Sequence, residues 1–284
     1  MDVQTVSLHD SSYPARLREI PAPPAVLYHR GPLPRWDRVV AIVGTRRCTA
    51  YGRRIAAQLA SDLATQDVLV LSGLAWGIDA AAHAGALAAG GCTAAILAGS
   101  PVTGFPASNR PLYERMLAAG MAVISEYPPG KEALRWQFPA RNRLIAGIAH
   151  AVVVVEAPGR SGALITAADA ARGATEVMVV PGPADAPSFE GSHSLLRDGA
   201  RLVTSAFDVL ADLGWSAQDG IRPVATRPVG DLERVYQAID SEGVSADQLA
   251  EHLEASLPEL MRELTILELK GLIVSQPGGI YARK

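Results

Sequence analysis

Six short runs of apolar, mostly β-branched residues, separated by alanine-rich stretches, constrain this sequence more than any other feature. The runs are VVAIV (39–43), VLVLS (68–72), TAAILA (93–98), MAVISE (121–126), AVVVVEA (151–157) and EVMVVPG (176–182). Apolar runs without polar alternation indicate strands buried on both faces, and the stretches between them have helical patterns. This alternation is typical of a parallel sheet covered by helices on both sides. The sequence therefore predicts an α/β domain with a Rossmann-like, doubly wound, mostly parallel sheet over residues 36–215.

The length of the chain and the changes of pattern along it indicate two domains. With 284 residues, 49% of them hydrophobic, the chain exceeds the usual size of a single domain and can bury a large core. Residues 1–35 hold six of the 20 prolines and show little periodicity, which predicts a lead-in packed on the sheet. Residues 216–230 lack an apolar period and hold two prolines and two glycines, which predicts a linker.

The end of the chain has a pattern of its own. Two capping boxes, Ser245 with Gln248 and Ser256 with Glu259, each open a helical stretch, and another helical stripe precedes them. A hairpin pattern around a Pro-Gly-Gly turn follows. Residues 231–284 are therefore predicted to form a small C-terminal winged-helix domain.

Composition narrows the class of protein. No stretch holds the roughly 18 uninterrupted apolar residues of a membrane span, so we expect a cytoplasmic protein. Cys48 and Cys92 lie far apart without a CxxC spacing, so we expect neither a disulfide nor a metal site. The net charge of −3 is uneven, with 21 Arg or Lys against 19 Asp or Glu in residues 1–230, and 5 against 10 in residues 231–284. Only three of the 26 basic residues are lysine, and guanidinium groups suit phosphate, although a GC-rich genome would produce the same bias.

Glycine, hydroxyl and arginine residues follow the first two predicted strands. In open α/β sheets, ligands bind beyond the carboxyl ends of the strands, where backbone N–H groups and helix N-termini face an anion. The first strand leads into Gly44-Thr45-Arg46-Arg47, and the second into Ser72-Gly73-Leu74-Ala75-Trp76-Gly77-Ile78-Asp79, where Asp79 is expected to cap the next helix. The sequence has no G-x-G-x-x-G here and no acidic residue at the end of the second strand. We therefore expect no dinucleotide cofactor.

Two later stretches carry the same chemistry. Two arginines stand at the predicted start of a helix, in Arg141-Asn142-Arg143, where the helix dipole disfavours cations by about 0.3–1 kcal/mol. They indicate an anionic partner, either nearby carboxylates or a phosphodiester. After the strand that ends near Glu156, another glycine and hydroxyl loop opens a helix with Ser161, Gly162 and Thr166. Because four such loops converge at one edge of one sheet, the sequence predicts a phosphate-binding rim.

Five stretches of the sequence resemble, in order, those of the DNA-processing protein A family, also called DprA or Smf: VGTRRCTAYG, SGLAWGIDAAAH, FPARNRLIAG, EAPGRSGALITA and VPGPADAPSFEGSHSLLRDGARLV. The resemblance implies a Rossmann-like core that binds single-stranded DNA cooperatively and hands it to the recombinase RecA during natural transformation. It implies a homodimer, and it implies a binding protein without nucleotide hydrolysis, cofactor or catalytic residues.

The resemblance assigns DNA contacts to residues of the predicted rim. The family's G-(S/T)-R motif falls on Gly44, Thr45 and Arg46, and Arg46 is expected to grip a phosphate. The second basic stretch falls on Arg141, Asn142 and Arg143, while backbone and hydroxyl contacts are expected from Ser72, Gly73, Ser161, Gly162 and Thr166. The predicted DNA-binding set is completed by Arg47, Trp76 and Arg110.

Trp76 departs from the family, which commonly has arginine at this place in SGxARGID. The exchange removes a charge and adds a ring face, which would stack on a base for about 1–3 kcal/mol. Packing in the core is the alternative, and it is the more common fate of a single tryptophan. Because the chain has only 15 aromatic residues, phosphate contacts are expected to dominate and to make binding steeply salt-dependent.

The sequence leaves two alternative functions to be considered, an enzyme and a transcription regulator. A nucleotide phosphoribohydrolase of related fold would carry PGGxGTxxE, but here Pro183 interrupts the glycine nest. A ligand-sensing transcription regulator would explain the winged helix. Its recognition helix, residues 257–270, carries more acidic than basic residues, and is therefore predicted to contact protein or the main domain rather than DNA.

Residues 194–213 carry more apolar side chains than one small helix buries, which predicts either a dimer contact or closure of the core.

Overall fold

The chain divides into two compact units, Met1–Ile221 and Arg222–Lys284. The computed structural model describes residues 2–131, 133–215, 232–239, 243–253, 255–269, 272–276 and 279–283. The predicted linker, residues 216–230, lies outside the described residues, and the predicted domain bounds 36–215 and 231–284 stay predictions. Across the described ranges, every helix is too short or too polar to cross a bilayer.

The first unit is built around one sheet, which has nine strands within the described residues. They are β1 (Gln4–Ser7), β2 (Val26–Arg30), β3 (Val39–Val43), β4 (Leu69–Ser72), β5 (Thr93–Leu97), β6 (Ala122–Ser125), β7 (Ala151–Val154), β8 (Glu176–Val179) and β9 (Arg201–Leu202). Their order in the sheet is β1-β2-β6-β5-β4-β3-β7-β8-β9. The strands from β6 to β9 in this order are all parallel, which confirms the predicted doubly wound α/β fold.

Helices cover both faces of the sheet. They are α1 (Ala50–Ala64), α2 (Ile78–Ala88), α3 (Arg110–Ala118), α4 (Gln137–Ile148), α5 (Gly162–Arg172), α6 (Glu190–Arg197) and α7 (Ala206–Asp212). Side chains alternate across a strand, so Val39, Ala41 and Val43 pack on one face with α4 and α5. Val40 and Ile42 pack on the other face with α1, α2 and α7. This double burial explains why the strands read as continuous apolar runs.

The chain changes direction across the sheet at β3. Strands β4, β5 and β6 follow each other on one side of β3, whereas β7, β8 and β9 follow on the other side. In doubly wound folds this switch opens a crevice beyond the carboxyl ends of the strands. The loops that follow β3, β4 and β7 therefore meet at one place.

The N-terminal segment differs from the prediction, because residues 1–35 contribute two strands to the sheet. Strand β2 pairs antiparallel with β6, and β1 pairs antiparallel with β2. The alternation of β2 was hidden in the sequence because one of its buried positions is His29, whose Nδ1 lies 2.9 Å from the Gly31 carbonyl. Strand β9 was also missed, since a strand of two residues has no period.

The second unit has its own core and the predicted winged-helix order of elements. These are α8 (Leu232–Ala238), β10 (Val244–Ser245), α9 (Ala246–His252), α10 (Leu257–Leu269), β11 (Ile273–Gln276) and β12 (Ile280–Arg283). Strand β12 pairs with both β10 and β11. The capping box of Ser245 and Gln248 is present at the start of α9, and Leu249, Leu260 and Leu264 are buried in the core of this unit.

Candidate nucleic-acid interface

A cavity of about 590 Å³ lies at the switch point, beyond the carboxyl ends of β3 and β7. Nine predicted site residues line it: Gly44, Thr45, Arg46, Arg47, Arg141, Asn142, Ser161, Gly162 and Thr166. A second cavity of about 250 Å³ adjoins it, shares Arg46 and Arg141 with it, and is lined by the predicted residues Gly73 and Trp76. We call them the first and the second cavity.

The loop after β3 is held tightly against the end of β7. The Thr45 amide donates to the Glu156 carbonyl at 2.7 Å, and the Arg47 amide donates to Thr45 Oγ1 at 3.2 Å. A Cβ atom on Gly44 would lie 2.9 Å from the Glu156 carbonyl oxygen and would also contact Ile78. Glycine is required at position 44 because the two chain segments approach so closely.

Glu156 organises the start of α1. Its buried carboxylate accepts hydrogen bonds from the Thr49 amide at 2.9 Å and from Thr49 Oγ1 at 2.8 Å. Thr49 in turn caps α1, because its Oγ1 accepts from the Gly52 amide at 3.0 Å. The carboxylate is therefore bound to the backbone, and Glu156 is not among the residues that line either cavity.

Three exposed arginines line the first cavity. Arg46 and Arg47 come from the loop after β3, and Arg160 comes from the loop after β7. Within the described residues, none of these guanidinium groups takes part in an ion pair. The Arg46 guanidinium carbon lies 4.8 Å from the centre of the Phe138 ring. The sequence prediction passed over Arg160 and Phe138, although both lie in stretches that it singled out.

The N-terminus of α5 opens on the first cavity. Ser161 is the N-cap residue, and its Oγ accepts from the Ala163 amide at 3.3 Å. A Cβ on Gly162 would meet no atom within 4 Å, so the first turn of the helix is accessible. Unpaired N–H groups and the helix dipole give this end a partial positive charge. The cavity thus combines arginines with a helix N-terminus, a combination that favours an anion.

Arg141 is buried, unlike the three exposed arginines of the first cavity. It is only 5% exposed, and its Nη1 donates to the Gly73 carbonyl at 2.9 Å and to the Ile96 carbonyl. Burial, partly offset by Asp79, lowers the pKa of Arg141 to about 10, so the group remains charged near neutral pH. Because α4 begins at Gln137, Arg141 also lies beyond the first helical turn. The argument from the helix dipole therefore does not apply.

Three further predicted residues line neither cavity. Arg143 forms an ion pair with Glu126, at 2.6 and 2.8 Å to its two oxygens, so its anionic partner is a carboxylate. Ser72 is fully buried and donates to the Ile42 carbonyl at 2.7 Å. Arg110 lines neither cavity and packs against Phe105, with 5.8 Å between the guanidinium carbon and the ring centre. The Ser72 hydroxyl and the Arg143 guanidinium group thus have partners within the protein, and their predicted DNA contacts stay predictions.

Trp76 is not a core residue. It is 52% exposed, and its indole N–H donates to Ser108 Oγ at 2.6 Å. Trp76 lines the second cavity together with Phe105 and Phe138. Of the two interpretations left by the sequence, core packing is therefore excluded, and the ring is accessible to a ligand.

The expected helix cap at Asp79 is also corrected. Gly77 is the N-cap of α2 and makes no side-chain capping bond. Asp79 instead accepts from the Gly73 and Ala75 amides, at 3.1 and 3.3 Å, within the loop that precedes the helix. Burial raises the pKa of this carboxyl group, against the opposing effects of Arg141 and the two amides.

Two family models and a curated relative match the sequence of this chain. Residues 4–214 match the model for DNA recombination-mediator protein A, and residues 222–279 match the DprA winged helix domain. The chain is 43% identical over 274 residues to a DNA processing protein DprA of Mycobacterium tuberculosis, covering 93% of this chain and 70% of the relative.

Two solved structures of DNA processing protein A resemble this chain. DNA processing protein A from Streptococcus pneumoniae superposes with a TM-score of 0.70 at 38% identity, covering 75% of each chain. DNA processing protein A from Helicobacter pylori, studied for its single-stranded DNA binding mode, gives 0.66 at 27% identity, covering 74% of this chain and 95% of the other. With the matched models and the identity to the curated relative, these likenesses show that the chain belongs to the DNA processing protein A (DprA/Smf) family of recombination mediators.

Proposed function

We propose that this protein binds single-stranded DNA through the first cavity and the adjoining second cavity, as a recombination mediator without nucleotide hydrolysis. The observation that carries the proposal is the first cavity itself, where three exposed arginines meet the N-terminus of α5. Backbone phosphates fit this chemistry, because guanidinium groups and helix amides bind phosphate oxygens without reading the bases. The exposed ring of Trp76 would add a stacking face for a base at the edge of the phosphate path.

The role in the cell that we infer follows from family membership. The protein would protect incoming single strands and load RecA on them during natural transformation. A RecA filament assay on strands coated with a single-strand binding protein tests this role. Faster filament growth in the presence of the protein is expected, and no effect at saturating protein would contradict it.

The experiment that tests DNA binding is fluorescence anisotropy of labelled oligo-dT, single-stranded and duplexed, over a salt series without nucleotide. We expect Arg46→Ala to weaken single-strand binding at least tenfold. It should also lower the salt slope by about 0.7, the value for one phosphate contact. Arg35→Ala is the matched control, because Arg35 is an exposed arginine that precedes β3, at the opposite end of the strand from the cavity.

Two outcomes would contradict the proposal. Absence of binding at low salt would exclude the DNA interface and would make nucleotide-monophosphate hydrolysis the next assay. Equal losses from Arg46→Ala and Arg35→Ala would indicate a diffuse charge effect rather than a defined site.

The enzyme alternative has little support at the site. A phosphoribohydrolase needs a carboxylate at the glycosidic bond, and the carboxylate of Glu156, which follows β7, is bound to the amide and hydroxyl of Thr49. The winged helix is proposed to contact protein rather than duplex DNA. Two exposed glutamates on α10, Glu259 and Glu268, would repel phosphate. Tight duplex binding that survives Arg46→Ala in the anisotropy experiment would contradict this second proposal.

A homodimer is part of the proposal. In the predicted apolar stretch 194–213, the structure buries Val203 and Leu210 in the core and leaves Leu202 and Phe207 exposed, by 54% and 51%. The two exposed side chains lie on β9, the last strand in the sheet order, and on α7, the helix that follows β9 in the chain. A symmetric dimer through this patch would place two DNA-binding cavities in one particle, which supports cooperative binding.

A further inference from the structure

The loop between β4 and α2 has an unusual backbone. Leu74 has a φ of +52° and is fully buried, and Gly77 has a φ of +77°. A leucine rarely adopts the left-handed region, and such a conformation persists only where the surroundings hold it. The loop carries Gly73 and Trp76, which line the second cavity, so its conformation shapes that cavity.

Three side chains from three different segments hold this loop by its backbone. Asp79 accepts from the Gly73 and Ala75 amides, as described above. Asn109 Nδ2 donates to the Leu74 carbonyl at 3.0 Å and to the Ala75 carbonyl at 3.1 Å. Arg141 donates to the Gly73 carbonyl and, through the Ile96 carbonyl, ties the loop to β5.

Two of the three side chains that hold the loop, Asp79 and Arg141, carry opposite charges. Asp79 and Arg141 are both buried, and each carries the charge that favours ionisation of the other. A Cβ atom on Gly73 would collide with the Arg141 guanidinium group, so the loop and the arginine are in direct contact. Nη1 of Arg141 thus serves two backbone carbonyls, and its Nε donates to Asn142 Oδ1 at 3.2 Å.

We infer that Arg141 is a positioning residue, which with Asp79 and Asn109 fixes the β4–α2 loop in its left-handed conformation, and that it does not grip a phosphate. The inference rests on the proposed DNA binding, and it separates two kinds of arginine at one site. Arg46 is exposed and acts on the strand directly, whereas Arg141 acts through the loop.

The test compares Arg141→Lys with Arg46→Ala in two measurements. The first is hydrogen exchange of the peptide that spans residues 72–79 in the full chain without DNA. Lysine keeps the charge but loses the planar fork that reaches two carbonyls, so we expect exchange in this peptide to accelerate at least tenfold. Arg46→Ala should leave it unchanged.

The second measurement is the salt series with labelled oligo-dT. Arg141→Lys should lower affinity severalfold at every salt concentration with the slope of the wild type, because lysine keeps the charge and the loss comes from the loosened loop. A slope reduced by about 0.7 with unchanged exchange, or wild-type affinity and exchange in Arg141→Lys, would overturn the inference.

If Arg141→Lys does not fold, Asn109→Ala and Gly73→Ala test the same inference by hydrogen exchange. Both leave the charge of the site intact and should reproduce the faster exchange. Unchanged exchange in both variants would overturn the proposed fixing of the loop. Since exchange is measured without DNA, it reports on the loop even if the wild type fails to bind DNA, so failure of the proposed function is distinguishable from failure of this inference.

Discussion

At the scale of single residues, His83 is expected to make the stability of the first unit sensitive to acid. Thr93 Oγ1 donates its hydrogen to the Val70 carbonyl at 2.7 Å, so its 2.7 Å contact with His83 requires Nδ1–H of His83 as the donor. Among the described residues, Nε2 has no partner. Burial, followed by the charge of Arg141, lowers the pKa of His83 to about 3.

This lowered pKa fixes the sign of the pH effect. The unfolded chain binds a proton on His83 below about pH 6.5, whereas the folded protein does so only near pH 3. Stability is therefore lost as pH falls through this range, by up to about 1.4 kcal/mol per pH unit. We expect the free energy of unfolding of His83→Gln, measured with urea between pH 6 and 4, to fall less steeply than that of the wild type. The exposed His9→Gln control should keep the wild-type slope, and equal slopes for His83→Gln and wild type would contradict the prediction.

The hydrogen-bond partners of single residues could not be predicted from the sequence. The sequence brought Arg141 to the correct edge of the sheet, and the structure places it there. Its partner could not be derived, because a carbonyl oxygen and a phosphate oxygen can both accept hydrogen bonds from a guanidinium group. Arg143 likewise left two partners open, and the choice depended on Glu126, which is distant in sequence and adjacent in space.

At the scale of elements, the N-terminus of α5 allows helix stability and DNA binding to be separated. The space around Gly162 accepts a side chain, so neither Gly162→Ala nor Gly162→Asp should unfold the protein. An aspartate here would favour the helix by about 0.3–1 kcal/mol through the dipole and would repel phosphate in the cavity.

We therefore predict that Gly162→Asp lowers oligo-dT affinity at least tenfold while its melting temperature is equal to or above that of wild type. Gly162→Ala is the control and should bind within about twofold of wild type. Similar losses in both variants would indicate that the helix end is needed for its flexibility rather than for its charge.

Elements were predictable where burial acts on a whole run of residues. The five strands from β3 to β7 could be predicted because both faces of each are buried, which leaves an apolar run in the sequence. Strand β8 could be predicted from its second half, which is buried. Strand β2 could not, since its pairing with β6 depends on contacts across about 95 residues of chain and its buried positions include a histidine.

At the scale of the whole molecule, the exposed patch of Leu202 and Phe207 predicts the oligomeric state. Phe207→Glu places a charge in a contact that we propose to be apolar, so light scattering coupled to size exclusion should show a monomer. Leu134→Glu is the control, because Leu134 is similarly exposed, by 53%, but lies outside the patch. A wild-type monomer at micromolar concentration, or dimers in all three proteins, would contradict the proposed interface.

The hydrogen bond between the Thr45 amide and the Glu156 carbonyl joins segments that are neighbours in the sheet and 111 positions apart in the chain. Contacts of such long range form late, because the chain between them must first be ordered. A nascent chain that has emerged only as far as α4 would thus carry Gly44 to Arg47 without the loop and helix that complete the first cavity. Only a molecule whose first unit has finished folding would then bind single-stranded DNA, and incompletely synthesised chains would not.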